Sequence, residues 1–306
     1  MGFITVFTQM LMLLLMMIIG YIMEKKRLLG DNSAAVMSKI VLNVTLPAQI
    51  ITSFSIEGAD ISSAAVAKTL GLSCLVYALY FCLAFLFVRL LRIPPEQRGT
   101  YQYMIIFGNV GFMGFPLITA VFGAETLVYA VLFNIVFNLL VFSLGIQMIA
   151  GGASAGSFDW RRLINLPLGS SVAALLLFFA HIELPAVINN ALFTLGDATT
   201  PLAMLILGAT IAAMPLRQLF EEKRVYAFVA VKLLLVPLLA WQMLALILPD
   251  GDIIGRILVV LSGMPVATNA TMLSVEYGGD NKLVSQGIFF TTVLSVGSVP
   301  LLIALL

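Results

Sequence analysis

The sequence predicts an all-α integral membrane protein of ten transmembrane helices, built as two inverted five-helix repeats. Three observations predict it. Hydrophobic residues make up 61% of the 306 positions and charged residues only 10%, against roughly 25% charged in a soluble domain. Basic residues recur at every second turn between apolar segments. Two kinds of helix break recur in the two halves at nearly the same offset.

Mean hydropathy is +1.09, more apolar surface than a soluble fold can hide, so the bilayer is the expected solvent. A span needs roughly 20 apolar residues. Ten candidates fit: 3–23, 33–54, 64–91, 99–121, 125–149, 163–181, 187–213, 224–248, 253–275 and 282–305. The apolar run at the N-terminus lacks a basic flank before it and a small-residue cleavage site after it. It is expected to be a retained first span.

Positive charge sets orientation. Lys25, Lys26 and Arg27 follow span one; Arg89, Arg92 and Arg98 flank the turn after span three; Arg161 and Arg162 follow span five. Arg217, Lys223 and Arg224 follow span seven, and Lys282 follows span nine. The opposite turns hold Glu57, Asp60, Glu125, His181, Glu183, Asp250 and Asp252, with Arg256 as their basic residue. The basic turns are therefore expected in the cytoplasm and both termini outside. Five spans per half is an odd number, so the second half enters the bilayer from the opposite side. That makes the repeat inverted. Residues 1–150 form the first repeat, 151–165 the cytoplasmic join and 166–306 the second repeat.

The breaks point to a site. Asn43-Val44-Thr45-Leu46-Pro47 in span two is matched 154 positions later by Asp197-Ala198-Thr199-Thr200-Pro201 in span seven. In each, a polar residue stands four positions before a proline, whose ring clashes with that residue's carbonyl. The hydroxyls of Thr45, Thr199 and Thr200 are candidates to bond the freed carbonyls. Span four carries Gly108-Asn109-Val110-Gly111-Phe112-Met113-Gly114-Phe115-Pro116, and span nine carries Ser262-Gly263-Met264-Pro265-Val266-Ala267-Thr268-Asn269. If these two cross at their breaks, half-helix N-termini present free N–H groups and partial positive charge to one point. Asn109 and Asn269 add side-chain donors. Such a site takes a carboxylate without a fixed positive charge. The alternative is that the prolines merely kink two ordinary spans.

The candidate substrate-binding residues are Asn109, Gly111, Pro116, Pro265, Thr268 and Asn269. Asn43, Thr45, Asp197 and Thr199 are candidates for coupling. Asp197 is the ionisable member, able to bind Na⁺ or carry a proton, or else a solvated helix-end residue. Lys39, Lys68 and Lys232 fall inside expected spans. Lys232 is the deepest and a candidate to pair with a carboxylate. Glu276 is read as a solvated helix end and His181 as a surface residue. Cys74 and Cys82 lie in one apolar segment and are expected to be inert buried thiols. No His/Cys cluster with metal spacing, nucleophile elbow, phosphate loop or dinucleotide fingerprint occurs, so an enzyme is not expected. Net charge of +1 argues against a nucleic-acid partner.

At these residues the chain resembles the auxin efflux carrier family, which includes the plant PIN auxin transporters and many bacterial permeases. The resemblance rests on Asn43 to Pro47, Gly108 to Pro116, Met264 to Asn269, and Glu276-Tyr277-Gly278-Gly279. It implies an architecture similar to the bile-acid sodium symporters, with helices 4 and 9 crossed at prolines. It further implies a dimerising scaffold of helices 1, 2, 6 and 7 and a transport domain of helices 3–5 and 8–10. Asn109, Pro116, Pro265 and Asn269 match the crossing that binds the substrate carboxylate in that family. The short join is like that of bacterial members, which are associated with dicarboxylates such as malate or malonate. The expected function is elevator-type transport of small organic anions in a cell membrane, the bacterial inner membrane by this resemblance. No cofactor is expected beyond a coupling Na⁺ or H⁺. The alternatives are a Na⁺- or H⁺-coupled symporter or exchanger, and a membrane sensor that binds a ligand without moving it.

Overall fold

The structure is a computed structural model and describes residues 3–30, 33–53, 62–151, 166–180, 182–213 and 221–306. Its elements, among these residues, are helical: α1 Phe3–Lys25, α2 Ser33–Ile40, α3 Leu46–Ser53, α4 Ser63–Leu90, α5 Pro95–Ile106, α6 Phe115–Phe122, α7 Leu127–Leu140 and α8 Ile146–Ile149. There follow α9 Leu166–Phe179, α10 Ala186–Asp197, α11 Thr199–Ala212, α12 Arg224–Ala230, α13 Val236–Ala245, α14 Ile253–Ser262, α15 Asn269–Tyr277 and α16 Asn281–Leu305. Five continuous runs among the described residues are long and apolar enough to cross a membrane: Ser63–Leu90, Ala124–Ile149, Ala186–Ala212, Arg224–Ala245 and Asn281–Leu305. Shorter apolar helices lie between them. This is an all-helical, multi-pass membrane protein. Glu57, Asp60, His181, Arg217 and most of the expected join, with Arg161 and Arg162, lie outside the described residues, as does the side chain of Glu276.

Three prolines are accommodated by widening the helix one turn before them, while Pro300 sits inside the regular helix α16. Val41–Thr45, Val110–Gly114 and Val231–Leu235 are π-helical turns. Each closes with an i→i+5 bond: Leu46 N–H to Val41 O, Phe115 N–H to Val110 O, and Val236 N–H to Val231 O. In each case the next residue is proline: Pro47, Pro116 and Pro237. An inserted residue shifts the hydrogen-bond ladder out of register, giving the ring room where the regular i→i+4 carbonyl would stand. A fourth π turn, Val141–Gly145, joins α7 to α8. Span seven solves its proline differently, by ending α10 at Asp197 and restarting α11 at Thr199.

The expected role of the threonines is corrected here. Thr45 and Thr199 are buried, and neither hydroxyl has a hydrogen-bond partner. The π turn and the helix restart, not these hydroxyls, absorb the proline. Cys74 and Cys82 are a second correction: both are free and exposed on α4.

Glycine sets the closest helix contact. A Cβ on Gly208 of α11 would stand 1.9 Å from the Met17 carbonyl oxygen, and one on Gly20 of α1 would stand 2.2 Å from that of Leu205. Small residues let membrane helices approach to backbone contact. Helix α3 packs on α9 and α10, while α4 packs on α5 and α7 and α13 on α14.

Candidate functional site

The chain leaves the helical state at Phe107 and re-enters it after Asn109. It does so again between Gly263 and Thr268. The two gaps meet as a short antiparallel pair centred on Gly108 and Val266. Asn109 N–H donates to Pro265 O at 2.7 Å, and Ala267 N–H donates to Phe107 O at 3.1 Å. Val266 N–H, on the other edge, donates to Thr291 Oγ1 of α16 at 3.1 Å. An unsatisfied backbone group in hydrocarbon costs several kcal/mol. Here each break satisfies the other.

One face of this pair opens into a cavity of about 130 Å³, below the roughly 300–1,000 Å³ of drug-sized sites, so it suits a compact solute. Leu42 and Leu46 line it from span two. Asn109, Gly111, Thr268 and Asn269 line it from the crossing, and Asn134 and Asn138 from α7. The amide orientations follow from their partners. Asn109 Oδ1 accepts from Phe112 N–H at 3.3 Å, so its Nδ2 is the free end. That nitrogen is buried with no partner. Asn269 Oδ1 accepts from the Tyr103 hydroxyl at 3.0 Å, again leaving Nδ2 free to donate. Asn138 Nδ2 and Thr268 Oγ1 are also buried without a partner. A cavity edged by unspent N–H donors asks for a ligand rich in acceptors, since each unmade buried bond costs about 1–3 kcal/mol.

Sequence reading missed Asn134 and Asn138. The signal was present: two carboxamides four positions apart in the otherwise apolar run Leu127–Leu140. That spacing puts both on one helix face. The other expected site residues are placed elsewhere. Pro265 shapes the crossing through its carbonyl. Pro116 lines a second cavity, with Gln49, Thr52, Thr119, Asp197 and Thr200. Asn43 is exposed and donates back to Lys39 O at 2.8 Å, away from both cavities. Asp197 is exposed at the rim of the second cavity.

Lys232 is 1% exposed. Its Nζ donates to Ile105 O at 2.8 Å, at the C-terminal end of α5, and lies 5.7 Å from the Tyr80 ring centroid. Among the described residues it pairs with a carbonyl rather than the carboxylate expected. The Tyr80 hydroxyl meets Ser262 Oγ at 2.5 Å, at the end of α14. The C-terminal end of α5, where partial negative charge gathers, is thus met by Lys232, and Tyr80 reaches the last residue of α14 through its side chain. Lys68, also inside an expected span, pairs with Asp252 at 2.5 Å.

A crossing of two broken helices beside a small, largely apolar cavity with a few carboxamides in its wall is the layout of a transport protein. Residues 5–158 and 153–303 match the model of the membrane transport protein family, and the chain belongs to that family, the auxin efflux carriers. It is 28% identical over 295 residues to an uncharacterized transporter of Methanothermobacter thermautotrophicus, covering 95% of each chain. It is 27% identical over 251 residues to a protein of Rhizobium meliloti named "putative malonate transporter", covering 79% of this chain and 76% of the other. An uncharacterized transporter of Escherichia coli is 21% identical over 242 residues, covering 75% of each.

Proposed function

We propose that the protein carries small organic anions across the membrane, with the substrate carboxylate held by the free amide ends of Asn109, Asn269 and Asn138. The observation that carries this reading is that three residues lining one cavity at the crossing each hold a buried, unpartnered polar group: Asn109 Nδ2, Asn138 Nδ2 and Thr268 Oγ1. Charge-assisted bonds to such donors are the strong ones. A compact cavity favours short acids, and the relative named for malonate adds weight to small dicarboxylates. Leu42 and Leu46 bring span two to the cavity wall. In this reading spans 1, 2, 6 and 7 are a stationary, homodimeric scaffold, and spans 3–5 and 8–10 move past it as an elevator. Gly111 would lend its backbone to the ligand: a Cβ there would have Leu46 Cδ1, at 3.7 Å, as its near neighbour.

The test is binding to the purified protein, by calorimetry, of malonate, malate, succinate, acetate and indole-3-acetate, repeated in proteoliposome uptake. Millimolar or tighter binding of at least one acid, with uptake of the same acid, supports the reading. Binding without uptake would favour a sensor. No binding of any acid would sink it.

A second reading has one observation behind it. The second cavity is lined by the oxygen-bearing residues Gln49, Thr52, Thr119, Asp197 and Thr200, and Gln49 Oε1 is buried without a partner. Oxygen donors around a carboxylate suit a small cation, so Na⁺ or H⁺ coupling is proposed there. Uptake indifferent to Na⁺ and pH, in the parent and in Asp197→Asn alike, would remove it.

The reading also keeps ten spans with both termini outside. In a Cys74→Ser, Cys82→Ser background, a cysteine at Asp250 should label from outside and one at Lys26 only after permeabilisation. The reverse pattern would overturn the orientation.

A further inference from the structure

We infer that Lys232 is the counter-charge for the bound anion, acting across the Gly108 backbone without touching the ligand. This inference rests on the reading of the crossing cavity as an anion site. It changes the expectation that the site works without a fixed positive charge.

The ammonium is buried inside the protein. An ammonium has three donors; one bond is formed here, to Ile105 O. Among the described residues the ion pairs are Lys68 with Asp252, Arg224 with Glu222, and Lys282 with Glu221. Lys232 has the dipole end of α5 and the face of Tyr80, and among the described residues it forms no ion pair. A charge at membrane depth is costly and tends to mark function. Removing one partner of a buried pair leaves a large penalty, and this cation stands as if its partner were absent.

The partner's place is indicated by Gly108. This residue lines the cavity. A Cβ built on it would lie 3.5 Å from Lys232 Nζ and 3.3 Å from Met264 O. Gly108 thus lines the cavity and also stands next to the ammonium. On the cavity side stand the unspent donors of Asn109 and Asn138. The asparagines supply direction and the lysine supplies charge. At such range and in a poorly screened interior, the attraction survives where surface charges would be damped. A bound monoanion would cancel the charge of Lys232 and so lower the electrostatic cost of moving the crossing through the bilayer, whereas a dianion would reverse its sign.

The experiment compares a charged acid with its neutral isostere. Malonate is titrated against malonamide, succinate against succinamide and acetate against acetamide, in full-length wild type, Lys232→Met and Lys232→Gln. Glutamine keeps an N–H for Ile105 O and removes the charge, so it serves if the methionine variant does not fold. Folding is checked by size exclusion and thermal melting. The expected result is that acid affinity falls about ten- to hundred-fold in the neutral variants while amide affinity holds. A packing role for Lys232 would lower both ligands together and leave the preference unchanged, which overturns the inference. A wild type that prefers its acid by less than tenfold also overturns it, whether or not either variant folds. If Asn109→Ala weakens the acid and Lys232→Gln keeps the full preference, the cavity reading stands and the lysine reading falls. If wild type binds none of the three acids, both fall.

Discussion

The backbone N–H of Asn109 donates to the carbonyl of Pro265 across 2.7 Å, so a break in one half of the chain is satisfied by a break in the other. The return bond from Ala267 to Phe107 makes the contact reciprocal. The segments between the half-helices are held as a two-strand clasp rather than as open hinges. The Asn109 side chain adds a cap, its Oδ1 accepting from Phe112 N–H, and its Nδ2 is the end that remains for a ligand.

Replacement of Asn109 or Asn269 by alanine should weaken binding of the best acid by one to two decades. Each charge-assisted bond lost is worth roughly 1.5–3 kcal/mol. Aspartate at either position should do more harm, because it sets like charges together in low dielectric. Calorimetry on folded variants checks this. Undiminished binding in both alanine variants would move the carboxylate elsewhere.

Asn138→Leu should separate stability from function. Its Nδ2 is buried without a partner in the ligand-free protein. Removing such a group spares a desolvation cost of about 1–3 kcal/mol. The melting temperature without ligand should hold or rise, while acid binding falls about tenfold. A variant that melts lower and binds as before would show that Asn138 serves the fold instead.

Gly208→Val should loosen the contact between α1 and α11. A Cβ at 208 would stand 1.9 Å from Met17 O, so the helices must part. Overpacking of this kind costs about 1–3 kcal/mol. Gly71→Ala, where nothing lies within 4 Å of the added Cβ, is the control and should not lose stability. Equal melting temperatures for parent and Gly208→Val would mean that this contact is not tight.

Asp252, the N-cap of α14, is tied to Lys68 near the start of α4. Burial would raise its carboxyl pKa, but the hydrogen bonds from Lys68 and from Gly255 N–H outweigh that and hold it below the ordinary carboxylate value. A depressed carboxylate stabilises the fold above its unfolded pKa, and that stability is lost as pH falls through its lower folded value. Melting temperature should therefore drop in acid more steeply for the parent than for Asp252→Asn. Asparagine still caps α14, whereas Asp252→Ala also loses the cap, at a further cost of about 1 kcal/mol. Parallel acid profiles for parent and Asp252→Asn would contradict this.

Much of the protein was legible from composition and local pattern. The bilayer permits few solutions, so long apolar runs read directly as helices. Proline removes a backbone N–H and crowds the carbonyl four residues before it, so the interruptions at Pro47, Pro116, Pro201 and Pro265 were visible before any contact was known, although Pro300 sits inside the unbroken α16. Asn109, Gly111, Thr268 and Asn269 were legible as site residues for the same reason, since they sit beside the breaks. The form of each break was not legible: the same ring is met by a π turn at Leu46-Pro47 and by a helix restart before Pro201. Neighbouring helices decide which, because they set how far the axis is free to shift.

What only the tertiary structure decided is which polar groups meet. Asn134 and Asn138 were two residues on an apolar helix until α7 packed beside the crossing. Asn43 stood in a matched motif, yet its side chain turns outward and bonds its own helix. Lys232 lies 127 positions from the carbonyl it caps. A sequence records which residues are polar and how often they recur along a helix. It does not record which distant carbonyl stands within 3 Å of an ammonium, because that depends on the packing of helices brought together across the whole chain.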